Sequence, residues 1–167
     1  MSDQTSTQVR VFDVETRFQT MARRPGGISR DTAIEEANAS IEMMKPDFDE
    51  WAAGELHELS RAIERARAGA PNEEWLEAAS LHARAVRDVG TTMGSELLTF
   101  VADSLCEILE AIEAGSDWDA ETLVCHLDAL MLVRQPAYRG MGPLELPELT
   151  RGLRRLAERI STAQSYT

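Results

Sequence analysis

The sequence is poor in the features that would commit it to catalysis, to a metal or to a membrane. Its two cysteines, Cys106 and Cys125, lie on predicted helices without CxxC spacing, which excludes a disulfide scaffold or a zinc site and points to reduced, buried thiols. Positive charge is scarce. Seventeen Lys and Arg stand against 29 Asp and Glu, a formal charge of −12 with a pI near 4.7. Such a chain would be repelled by nucleic acid or an anionic membrane, so a protein partner is expected. No apolar run reaches the length of about 18 residues that a membrane span needs. The N-terminal "MSDQTSTQVR" lacks the apolar core of a signal peptide, so the expectation is a cytoplasmic protein.

Chemistry-bearing motifs are equally sparse. Neither a Walker nor a Rossmann glycine loop occurs, and there is no G-x-S-x-G elbow. None of His57, His82 and His126 has Glu three residues before it, so a di-metal carboxylate bundle is not expected. Cys125 and His126 are neighbours on a predicted helix, about 100° apart around its axis, and cannot cooperate. The many carboxylates pair by chance alone. No cofactor and no metal site is implied, and Met43, Met44, Met131 and the three tryptophans read as packing residues.

What the sequence has is helical periodicity. Val11, Val14, Phe18 and Met21 suggest a short amphipathic helix in an N-terminal arm, 1–28, that "RRPGG" closes. Ser29 can cap a helix carrying Ile34, Ala37, Ile41 and Met44 up to Pro46. Beyond it Phe48, Ala52, Leu56, Leu59, Ile63 and Ala66 continue the stripe to "GAP", which favours one long helix kinked at the proline. Asn72 caps the next, with Trp75, Ala79, Val86 and Val89, ending in "GTTMG" 90–94. Ser95 caps a fourth with Leu98, Val101, Leu105, Ile108, Leu109 and Ile112. A fifth runs from Trp118 to about Arg134, and the last starts at Pro147, a residue suited to a first helical position, and carries Leu149, Leu153, Leu156 and Ile160. No period-2 strand is apparent. The expected fold is all-α, an antiparallel four-helix bundle over 29–164 with an additional N-terminal helical segment and a C-terminal helix.

The stretch "LHARAVRDVGTTMG", 81–94, followed by "SELLTFVADSLCEIL", resembles the core hairpin of histidine-phosphotransfer (HPt) domains. In that family an exposed histidine in H-x-x-K-G, ten residues before a helix-ending Gly, accepts phosphate from a receiver aspartate. Aligning Gly94 with that Gly places Arg87 on the lysine, Arg84 on the phosphoacceptor and Asp88 on the small glycine. Arginine, permanently protonated, is no nucleophile. The register with His82 as acceptor puts Ala85, Val86 and Thr92 on the other motif positions. More widely, "ARRPGGISRDTAIEEANASIE", "ADSLCEILEAI" and "HLDALMLVRQPAYRG" resemble alphaproteobacterial chemotaxis accessory proteins of the CheE type. That resemblance implies an HPt-like bundle without its histidine.

Three functions follow as expectations. The resemblance implies a non-catalytic HPt-like adaptor that binds a response-regulator receiver domain or a chemotaxis kinase through Arg84, Arg87 and Asp88. Arg84 and Arg87, three apart, share a helix face, although most such pairs are merely solvated. The catalytic alternative is phosphotransfer through His82, which its place on the edge of the core stripe disfavours. The third is a structural helical adaptor or dimerisation module.

Overall fold

The computed structural model describes residues 26–162; the amphipathic stretch 11–21 and the Arg23-Arg24 pair lie outside them. Among the described residues five α-helices and two short 3-10 turns occur, with no strand. The helices are α1 (Arg30–Arg67), α2 (Leu76–Gly90), α3 (Glu96–Glu113), α4 (Ala120–Val133) and α5 (Pro147–Thr162). By chain contacts the described residues from Ala39 onward form one compact unit, and those up to Asn38 belong to another.

In α1 the backbone stays helical through Pro46, as the sequence expectation of a single long helix required. Its start is capped as expected: Ser29 Oγ accepts from the Thr32 amide at 3.1 Å. Apolar burial on α1 starts at Phe48 and continues through Ala52, Leu56, Leu59, Ala62, Ile63 and Ala66. Before it, Met43 and Met44 are exposed, at 74% and 53%. Their reading as core fillers is therefore overturned, as is that of Met131, 49% exposed.

Within the larger unit, α3 is the central element, packed against α2, α4 and α5. Eleven of its residues are buried, from Leu97 to Ile112, and they include the polar Ser104. A helix so enclosed cannot leave a hydroxyl unpaired without a desolvation cost of about 1–3 kcal/mol. The partner is His126 on α4, itself fully buried, whose Nε2 lies 3.0 Å from Ser104 Oγ. Its Nδ1 donates to the Thr122 carbonyl at 2.9 Å. Those two bonds fix one neutral tautomer, with Nδ1 protonated and Nε2 accepting the serine proton.

α1, α2 and α3 end in the same way. Gly69, Gly94 and Gly115 take positive φ, and the next amide reaches back to the carbonyls of Arg65, Gly90 and Ala111 at 2.8–3.0 Å, a Schellman closure. These are the breaks that "GAP", "GTTMG" and "AGSD" announced. Helix starts are less regular. Asn72 falls on a 3-10 turn and Trp75 takes the N-cap of α2 instead. α4 begins two residues after Trp118, where the Asp119 carboxylate accepts from the Thr122 amide at 2.8 Å. Trp75 is fully buried, its ring 4.9 Å from that of Trp118. Ser95 stands before α3 but makes no side-chain cap bond.

α2 and α3, joined only by residues 91–95, pack as a hairpin whose base depends on Gly90. A Cβ there would lie 2.4 Å from Thr99 Oγ1, so any side chain larger than glycine's hydrogen must displace the threonine side chain. Gly90→Ala should cost about 1–3 kcal/mol in urea unfolding, through displacement of Thr99 and loss of its 3.1 Å bond with Thr91. Combining it with Thr99→Ala, itself mildly destabilising, should recover part of that loss; full additivity in the double-mutant cycle would refute the close contact.

Burial lowers the His126 pKa below its ordinary 6.5, the bond to Thr122 opposing it. The folded chain therefore refuses a proton that the unfolded chain accepts. Its contribution to stability is full above pH 6.5 and is lost as pH falls from there toward the lowered folded value. His126→Gln should remove that portion of the acid loss, seen as a flatter stability profile from about pH 6.5 downward. An unchanged profile would place the acid sensitivity in the carboxylates alone.

Candidate functional site on the α2–α3 hairpin

Position around α2 decides what each of the sequence-selected residues can do. Ala79, Ala83 and Val86 are fully buried, and Gly90 continues that line. The small side chains let α3 approach closely, a reason for the alanine-rich stretch that sequence periodicity alone does not give. At about 100° per residue, His82 and Arg84 leave the axis some 200° apart, and the structure places them accordingly. His82 turns to α1, and Arg84 and Arg87 turn to α3.

His82 Nδ1 lies 2.7 Å from Glu55 Oε2, and both side chains are only 21% exposed. A carboxylate there can only accept, so Nδ1 is the nitrogen that donates in this pair. Glu55 is 27 residues away in sequence, and its spacing on α1 gives no hint of the pair. Sequence reasoning placed His82 at the edge of the core stripe, and half-burial agrees with that geometry.

Arg84 is 45% exposed and reaches Glu110 on α3 at 3.4 Å. Arg87, 30% exposed, bonds Asp88 at 2.9 Å and faces Asp103 of α3 at 3.9 Å. The Asp88 side chain, as hydrogen-bond partner, is the main cause that raises the Arg87 guanidinium above its ordinary value, against a smaller effect of burial. The structure thus brings the three selected residues, Arg84, Arg87 and Asp88, onto one surface and adds Asp103 and Glu110, which sequence reasoning missed. Period-3.6 spacing could have found them, since both lie on the polar face of α3. The result is a ladder of alternating charge along the hairpin, with each cation already beside an anion.

The remaining groups offer little chemistry. Among the described residues no cluster of three or more His, Cys, Asp or Glu could hold a metal ion. None of their helices is long and apolar enough to cross a membrane. Cys106 is buried on α3, and burial, the largest cause, pushes its thiol up to about 11. Cys125 is exposed, contrary to the expected burial of both thiols.

No family model, curated protein or solved structure matches the chain.

The cysteines give the arrangement a simple check. With a thiol-reactive chromophore near pH 8, Cys125 should react in the native protein, slowed because burial and Asp128 raise its pKa, and Cys106 only after unfolding. Two equivalents released at once would contradict the packing of α3.

Proposed function

We propose that the chain is a non-catalytic, HPt-like signalling adaptor. Its helices act as a four-helix bundle that binds a response-regulator receiver domain or a chemotaxis kinase through Arg84, Arg87 and Asp88 on the α2–α3 hairpin. The observation that carries this reading is the division of α2 into two faces. The exposed face presents guanidinium groups, while the imidazole of His82 is turned away and engaged by Glu55. A guanidinium is the natural partner of the acidic rim around a receiver's phosphorylation site, and it donates hydrogen bonds without accepting a phosphoryl group. Intramolecular pairing with Glu110 and Asp103 does not oppose that role, because exposed ion pairs of this kind exchange at little cost. Recognition in a cytoplasmic two-component pathway, rather than at a membrane or on nucleic acid, agrees with the acidic composition.

The second reading, phosphotransfer through His82, is favoured by the Glu55 contact. A carboxylate at Nδ1 leaves Nε2 as the nucleophile and would stabilise the positive ring as phosphate is accepted. Against it stand the partial burial of the ring and the absence of a lysine at the expected spacing.

One paired experiment separates the two. Phosphorylated receivers and chemotaxis kinases of the source cell are tested for label transfer and for binding, with wild type, His82→Ala and Arg84→Glu/Arg87→Glu. Binding without label, weakened about tenfold or more by the double reversal and unaffected by His82→Ala, is the expected outcome. Acid-labile label on wild type but not on His82→Ala would make the chain a phosphotransfer protein. No binding to any of them would refute both readings and leave the structural adaptor.

A further inference from the structure

Beside the arginine ladder, a groove of about 790 Å³ opens between the start of α2 and the C-terminal end of α3. Its volume is that of a ligand cleft, but its walls differ from those of a small-molecule site. Leu81 and the partly buried Leu76 supply its apolar surface, above the buried Ile112. Glu73, Glu77 and Glu113 stand around them. Leu81 is 64% exposed, a large apolar side chain held at a groove edge.

Electrostatically the groove is one-sided. Among the described residues Arg84 is the single cation lining it, and it is already beside Glu110, which lies outside the lining. Among the described residues Glu73, Glu77 and Glu113 make no ion pair. Three unpaired carboxylates around an apolar strip repel anionic ligands and attract a cationic one. The strip itself excludes a purely charged ligand such as a polyamine as the best fit, because leucine and isoleucine gain only from apolar contact. Two buried polar atoms without a hydrogen-bond partner, Trp75 Nε1 and Ser116 Oγ, belong to residues next in sequence to the lining residues Leu76 and Gly115.

We propose that this groove is a docking site for an amphipathic segment of a partner protein whose apolar anchors are flanked by arginine or lysine. From Leu76 to Arg84 the groove wall on α2 extends about 12 Å, room for about two helical turns of the occupant. Anchors at i, i+3 and i+4 or i+7 would meet the apolar strip, and the flanking cations would meet the three glutamates. The proposal stands whether or not the Arg84–Arg87 face engages a receiver, since the deciding residues are Leu81, Glu77 and Glu113.

The test uses the full chain and a fluorescent amphipathic peptide of about four helical turns, with leucine anchors and arginine flanks, in an anisotropy titration. Two control peptides replace the flanks by glutamate or the leucines by serine. Protein variants are Leu81→Glu and Glu77→Lys/Glu113→Lys, all at exposed positions, with circular dichroism to check the fold. The arginine-flanked peptide should bind, more weakly as salt is raised, and each variant should lose about tenfold or more in affinity. The controls should not bind. Equal binding of either control, unchanged affinity in both folded variants, or no binding at all would overturn the proposal. A concentration-dependent dimer that Leu81→Glu dissolves would also overturn it, by assigning the groove to a second copy of this chain.

Discussion

The larger unit depends on the enclosure of α3. A helix that touches α2, α4 and α5 and buries residues on most of its circumference contributes apolar surface in several directions at once. Each neighbouring helix gains its place by covering one of them. The same enclosure sets demands. The hydroxyl of Ser104 must find a partner, and that requirement draws His126 of α4 into the core as a neutral ring. On another side, Phe100 lies only partly covered, and Arg154 of α5 stands 5.1 Å from its ring centroid, so that α5 contributes a cation over an aromatic face as well as Leu153, Ala157 and Ile160. One helix therefore explains a buried histidine, a small-residue partner in α2 and an arginine-rich C-terminal helix that keeps its charges outward.

The closeness of α2 to α3 is the second consequence. Ala79, Ala83 and Gly90 leave no room for larger side chains between the two helices, and the Gly90 position tolerates no Cβ without movement of Thr99. Once the buried face of α2 is fixed in this way, the angular positions of His82, Arg84 and Arg87 are no longer free. A shift of a single residue in the register of α2 would turn every side chain by about 100° and take His82 away from Glu55 and Arg84 away from Glu110. Packing between alanines thus determines which side chains the hairpin turns to α1 and which to α3.

Much of this was legible in the sequence and some was not. Apolar periodicity located all five described helices, because a helix covered on one side buries side chains at a 3.6-residue repeat whichever element covers it. Glycines at 69, 94 and 115 marked the helix ends through their positive φ. The continuity of α1 through Pro46 could also be anticipated, from the stripe that resumes at Phe48. What periodicity could not supply was pairing between helices. Glu55 with His82, Ser104 with His126 and Glu110 with Arg84 join residues 22 to 27 positions apart, and no local pattern encodes such partners. Apolar type also misled: Met43, Met44 and Met131 read as core fillers yet stand in solvent, since an apolar side chain is buried only where another element covers it. The Arg84, Arg87 and Asp88 surface was found from spacing, but its acidic half on α3 was not.

The charge ladder on the hairpin gains its meaning from what it does not contribute. Arg84 with Glu110 and Arg87 with Asp88 and Asp103 are surface pairs of a kind worth about 0–1 kcal/mol, which adds little to the stability supplied by α3. Their effect is to hold guanidinium groups in place, in a chain whose net charge would otherwise leave cations scattered among carboxylates. An incoming anion of higher charge density than a single carboxylate can displace Glu110 or Asp103 and take over the donors, whereas a weakly charged surface cannot. On the proposed reading the internal pairs set the competition for this face: a site that concentrates several acidic groups can take over the donors that Glu110 and Asp103 hold.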